Sequence, residues 1–187
     1  MNNYCSKSSA GVTLIELIVV IAIAGILSAI AVPSFISMIQ RYRIQGEVSN
    51  FVGDVQYARA EAIKRGLPAS LCVINTTAVT PACAATASTT VTTDWRTGWM
   101  VYTTDPADGT QDVLRIQRAW SGTDTFQSNT NIVSFSRDGF TTTVTGTTLV
   151  TFSARTVPVN LSAMKCVTLN KVGRQQTLTS GTTGCTS

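Results

Sequence analysis

Few residues in this 187-residue chain have the type and spacing to do covalent chemistry. Histidine is absent, which removes imidazole as general base, proton shuttle or metal ligand, and with it most hydrolase triads and zinc sites. Ser162 and Lys165 have the SxxK spacing of penicillin-recognising enzymes, but serine is frequent here and neither SDN nor KTG follows. That spacing is read as coincidence. No P-loop, GxSxG or dinucleotide fingerprint occurs, and the carboxylates are too scattered to form an acid–base pair. The expectation is a protein that is not an enzyme, holds no cofactor or metal and takes no small-molecule substrate.

Cysteine and charge are more informative. Cys5, Cys72, Cys83, Cys166 and Cys185 form no CxxC pair, so zinc ribbons and thioredoxin-like motifs are unsupported, and disulfides are the better reading for a chain that leaves the cytoplasm. The four cysteines of the body allow three connectivities. The short-range one is favoured, Cys72 with Cys83 and Cys166 with Cys185, each bridge worth about 3 kcal/mol in the chain-entropy model. The net charge is +4. It is unevenly placed: Arg155, Lys165, Lys171 and Arg174 follow Asp138, and no acid does. Lys171 and Arg174 fall on a predicted hairpin turn, Asn170 to Gln176, where protruding cations without competing carboxylates suit phosphate contacts. The plainer alternative is a solvated hairpin whose Gly173 supplies a positive φ.

The last reactive group is Glu16. It is the one strongly polar residue in Val12–Val32, VTLIELIVVIAIAGILSAIAV, a run long enough to cross a hydrocarbon core of about 30 Å. Two processing schemes compete. A secretory signal would use Lys7 as its basic region and Ala29-Ile30-Ala31 as its cleavage site. The other scheme cuts between Gly11 and Val12 and keeps the apolar run, making Glu16 the fifth residue of the mature chain, one helical turn from the new α-amino group. A carboxylate at such depth costs about 2–3 kcal/mol and marks a function, which a disposable signal does not have. An ordinary single-pass anchor is the remaining alternative.

Gly11, Thr13, Leu14, Ile15 and Glu16 resemble, residue by residue, the N-terminal motif of the type IV pilin superfamily, with Val12 where phenylalanine is usual. Gly25 and Pro33 also stand at positions common in pilins. The resemblance implies cleavage after Gly11 by a prepilin peptidase, N-methylation of Val12, and pairing of Glu16 with the terminal amine of a neighbouring subunit. It also implies a bacterial inner-membrane protein, single-pass, with its globular domain in the periplasm before entry into a filament. The corresponding segments are a leader (1–11), a transmembrane and filament-core helix (12–39) and a periplasmic domain (40–187). Arg41 and Arg43 lie just past the run, against Lys7 and the amino terminus before it, so positive charge alone does not orient the span.

Ile44, Val48, Phe51, Val55, Ala58 and Ala62 continue a helical stripe, with Gln45, Glu47, Asn50, Asp54, Arg59 and Lys64 on the other face. Gly66 and Pro68 end it. The pattern predicts a helix over 13–65 with bending or melting at Pro33, Gly46 and Gly53. Short strands rich in Val, Ile, Thr and aromatics follow, at 69–74, 99–104, 113–120, 132–135, 140–145, 148–153, 165–169 and 176–179. Residues 75–93 read as an exposed loop, and Trp95 and Trp99 as core. The fold class is α+β: a long N-terminal helix packed on antiparallel sheet.

VGDVQYARAEAIKRGLPASLCV (52–73), DWRTGWMVYTTD (94–105), IVSFSRDGF (132–140) and CVTLNKVGRQQTL (166–178), in that order, resemble the GspH/FimT family of minor pilins and pseudopilins. That resemblance implies a minor type IV pilin that helps assemble or prime a pilus near its tip, with other pilins, the peptidase and the membrane as partners. A minor pseudopilin of type II secretion is one alternative. Another is a DNA receptor for transformation using Lys165, Lys171 and Arg174, since DNA-binding FimT-like members carry Gly-Arg-x-Arg in this turn. Here Gly173 and Arg174 are kept and Gln176 replaces the second arginine.

Overall fold

The computed structural model describes residues 11–75, 80–84, 93–144, 146 and 149–185. Lys7, Cys5 and most of the leader, Thr145 and most of the 75–93 loop lie outside the described residues. The chain divides after Met38 into two units. One helix, α1 (Leu14–Arg65), contributes to both. Thr13 caps it: its hydroxyl accepts from the Glu16 N–H at 3.3 Å and its carbonyl from the Leu17 N–H at 3.2 Å. The span is unbroken at Pro33, Gly46 and Gly53, contrary to the melting expected there. A proline removes one backbone bond, and the helix nonetheless runs through Pro33. Around Gly46 and Gly53, the buried Ile44, Val48, Phe51 and Val55 hold the turns in place.

In the first unit every residue from Gly11 to Ile36 is exposed. This stretch is apolar around its whole circumference, so no face distinguishes inside from outside. Such a helix needs cover from a bilayer or from other chains.

The second unit holds two four-stranded antiparallel sheets, in keeping with the expected helix packed on antiparallel sheet, the division in two being what the sequence left open. The first runs β3 (Gln111–Arg118), β2 (Gly98–Thr104), β1 (Ala69–Val73), β5 (Ile132–Phe135). The second runs β4 (Thr125–Ser128), β6 (Val150–Arg155), β7 (Lys165–Leu169), β8 (Gln175–Thr179). Central β1 is buried throughout, whereas edge β3 is largely exposed. Strand β4 escapes sequence reading because four residues with one large apolar side chain, Phe126, give no measurable period. The strand expected at 140–145 is not formed among the described residues. Thr141 makes a single bridge to Phe135 and then gives its N–H and hydroxyl to the Lys171 and Asn170 carbonyls, leaving the described part of the segment as an irregular, bent stretch.

The helix stripe from Ile44 to Ala62 is buried against these sheets around Phe51. That ring lies 5.5 Å from Trp95, 5.3 Å from Trp99, 4.9 Å from Phe126 and 4.5 Å from Phe152, mostly edge to face. Both tryptophans are fully buried, and each indole N–H has a partner: Trp95 donates to the Thr130 carbonyl and Trp99 to Asp54 Oδ2, both at 2.8 Å. Asp54 is thus corrected from the solvated helix face to the interior, at 3% exposure. Its second oxygen accepts from Arg115 Nη1 at 2.6 Å, which satisfies a carboxylate that would otherwise be costly to bury. At the helix end, Arg65 donates to Glu61 at 2.6 Å and to Asp112 at 2.7 Å. The guanidinium holds the Glu61 carboxyl below its usual range.

Candidate functional site

Three places bear on function, and the first is the start of α1. Gly11 and Val12 precede the Thr13 cap, and a side chain added at Gly11 would meet nothing within 4 Å. Packing within the chain therefore places no demand for glycine there. Glu16 falls in the first turn, where the helix dipole favours an anion. It has no ion-pair partner among the described residues. The Thr13-x-x-Glu16 spacing is also that of a capping box, a local reason for this tetrapeptide that sequence reading overlooked.

The second place is the β7–β8 hairpin. Asn170 organises it: its carbonyl accepts from the Gly173 N–H at 3.0 Å and its side chain from the Arg174 N–H at 2.9 Å. This is a three-residue loop closed by a left-handed glycine, φ 77° at Gly173. Lys171 and Arg174 are exposed on it. Lys165 is not with them. It begins β7, four strand steps or about 13 Å from Leu169 before the turn even starts. In its place the fold brings Arg59, from α1, whose Nη1 donates to the Gly173 carbonyl at 3.2 Å. Gln56, Arg59, Ala60, Ile63, Gly173, Arg174 and Gln175 line a groove of about 410 Å³. Sequence reasoning assigned Arg59 to a solvated face; only its helical register with Ile63 hinted otherwise. The turn carrying Arg137 and Asp138 also lies here, since the Thr141 N–H donates to the Lys171 carbonyl at 2.9 Å. The tail that lacks acids in sequence has an acid-bearing turn against it in space.

Gly173→Ala tests this packing. An added Cβ would stand 2.8 Å from the Gly139 carbonyl oxygen and 3.1 Å from the Arg59 guanidinium, at a positive φ. The left-handed conformation alone costs a non-glycine residue about 1–2 kcal/mol. Thermal unfolding of residues 40–187 should shift down by about 2–4 °C per kcal/mol lost, and an unchanged midpoint would contradict the geometry.

The third place is the pair of disulfides. Cys72–Cys83 and Cys166–Cys185 are both formed, with Cα separations of 5.6 and 5.5 Å. The latter sits with Met164 and Leu178 in a small cluster, tying the chain end to β7 at the strand end away from the hairpin turn.

A long N-terminal helix, apolar for its first half and packed on antiparallel sheets by its second, is the fold of a type IV pilin. The model of the family described as type II transport protein GspH matches residues 47–173, and that of the prokaryotic N-terminal methylation motif matches residues 6–32. The chain belongs to the GspH family and is a structural subunit of the minor pilin and pseudopilin kind. Among solved structures, the type IV minor pilin FimU of Pseudomonas aeruginosa is similar in two crystal forms. One is 18% identical with TM-score 0.53, covering 73% of this chain and 88% of that one. The other is 18% identical with TM-score 0.50, covering 72% and 91%. At that identity the likeness is one of fold.

Proposed function

We propose that this chain is a minor subunit of a type IV pilus, without catalytic activity, inserted near the tip with other minor pilins. A prepilin peptidase cuts between Gly11 and Val12, Val12 is methylated, and residues 12–39 serve first as inner-membrane anchor and then as filament core. Residues 40–187 face the periplasm, a compartment where the two disulfides persist. The observation that carries the reading is an apolar helical segment without cover whose single carboxylate, Glu16, is unpaired among the described residues and stands one turn from the new amine. The test is the mature mass. Gly11→Leu is expected to retain the eleven-residue leader (1–11) and to lack the methyl group, whereas the parent chain starts at methylated Val12; equal masses sink the cleavage assignment.

A second reading, DNA capture by a transformation pilus, is favoured by one arrangement: Lys171 and Arg174 exposed on the turn, with Arg59 beneath them. Phosphate-dominated binding falls steeply with salt. Residues 40–187 should then retain duplex DNA at low salt, and Arg174→Ala should weaken retention and flatten its salt dependence. Absence of binding at low salt removes this reading. The pseudopilus alternative shares the same fold and processing, and the content of the neighbouring operon separates it from the pilus.

A further inference from the structure

The loop between β6 and β7, residues 156–164, inverts the usual character of a surface loop. Its polar groups are tied down and its apolar side chains stand out. Val157, Val159 and Leu161 are 47%, 65% and 52% exposed, with exposed Pro158 between the first two. The buried Thr156 hydroxyl donates to the Pro158 carbonyl and accepts from the Asn160 N–H. Asn160 donates from Nδ2 to Gln40 Oε1 at 2.9 Å, while its Oδ1 accepts from the Ser162 N–H and hydroxyl. Arg41 Nε donates to Ser162 Oγ at 3.1 Å. The Val157 N–H donates to Asp124, whose carboxylate is gripped by Arg43 at 2.6 and 2.7 Å. Ala163 and Met164 are buried under the loop. The apolar side chains cannot turn inward without breaking this set of bonds.

The attachment points say what covers the loop. Gln40 and Arg41 directly follow the apolar segment 12–39, so the loop is fixed to the part of the chain that emerges from the bilayer. Tyr42, 67% exposed, is of the type enriched at membrane–water interfaces. Arg41 has no carboxylate partner among the described residues, and the nearest acid in this bonding set, Asp124, is buried and neutralised by Arg43. Apolar side chains on a loop bonded to a cation that has no carboxylate partner among the described residues, with an aromatic of interfacial type next to that cation in the chain, are the chemistry that binds anionic phospholipid. We propose that the 156–164 loop, with Arg41 and Tyr42, is a lipid-contacting surface: Val157, Val159 and Leu161 seat in the headgroup region of the bilayer crossed by the preceding segment. This holds the unassembled subunit on the membrane and is released when the subunit enters a filament. The proposal rests on the reading of residues 12–39 as a membrane anchor.

The test uses the full chain carrying Cys5→Ser and Val159→Cys, labelled with an environment-sensitive fluorophore. It is reconstituted at low protein density in phosphatidylcholine vesicles, with or without phosphatidylglycerol, containing lipids spin-labelled at the headgroup. The control site is Val172→Cys, 51% exposed on the hairpin turn at the other end of β7. At position 159 the emission should shift to the blue and be largely quenched, at 172 neither, and Arg41→Gln should remove the extra quenching that phosphatidylglycerol brings. Equal quenching at 159 and 172 in a chain that floats with the vesicles overturns the loop proposal alone, leaving the patch to a neighbouring subunit. A chain that does not float overturns the anchor reading and the proposal with it.

Discussion

Glu16→Ala is expected to leave membrane insertion intact and to reduce incorporation into filaments by two to three orders of magnitude. In the bilayer a charged carboxylate near the start of an apolar helix costs about 2–3 kcal/mol, so its removal does not impair insertion. Assembly is different. On the proposed reading, a Val12 amine buried in a filament core would require a counter-charge, and a pair at about 4 Å in surroundings of intermediate dielectric is worth about 4 kcal/mol. Each 1.4 kcal/mol is a factor of ten in association, so losing the pair and stranding the amine lowers incorporation about 10²–10³-fold. Comparing the variant in membrane and sheared-filament fractions measures both halves of this expectation. Parent-level incorporation would count against the charge-pair mechanism, and loss from the membrane fraction would show that Glu16 acts earlier.

Phe51→Ala carries the largest expected effect on stability. The ring touches four other aromatic rings contributed by both sheets and the segment before β2. Its truncation leaves a cavity with rigid walls, and buried Phe→Ala changes cost about 3–5 kcal/mol. That is a large share of the 5–15 kcal/mol by which a domain is stable. Thermal unfolding of residues 40–187 should drop by about 6–20 °C at 2–4 °C per kcal/mol, with the tryptophan emission of the folded state altered because Trp95 and Trp99 lose a neighbour. A drop under about 2 °C would mean that the cluster does not pack as described.

Much of the fold is legible locally. The stripe from Ile44 to Ala62 repeats at helical spacing, and Gly66 ends the helix because it takes a positive φ, 66°. Strands such as β2 and β7 carry enough Val, Trp and Tyr or Leu to be recognised alone. Strand β4 and the 140–145 segment are not recoverable that way, for opposite reasons. Strand β4 is short and polar but finds a partner in β6. The 140–145 segment has the composition of a strand, yet its Thr141 donors are taken by the hairpin carbonyls. Of the candidate site, Lys171, Gly173 and Arg174 are visible as a turn, whereas Arg59 is a helix residue more than a hundred positions earlier and nothing in its neighbours announces that it meets Gly173.

The sequence by itself determined the apolar segment, the carboxylate within it, the N-terminal methylation motif and the long helix, because each is written in hydropathy and in spacing between near neighbours along the chain, the apolar run having the length of one membrane crossing. Tertiary structure alone decided that the strands divide into two sheets, that Asp54 goes inside to serve Trp99 and Arg115, and that Lys165 stands apart from the basic turn while Arg59 joins it. It also decided that the 156–164 loop is held with its apolar side chains outward. These outcomes depend on which distant groups meet and satisfy each other's hydrogen bonds, and no local period encodes that.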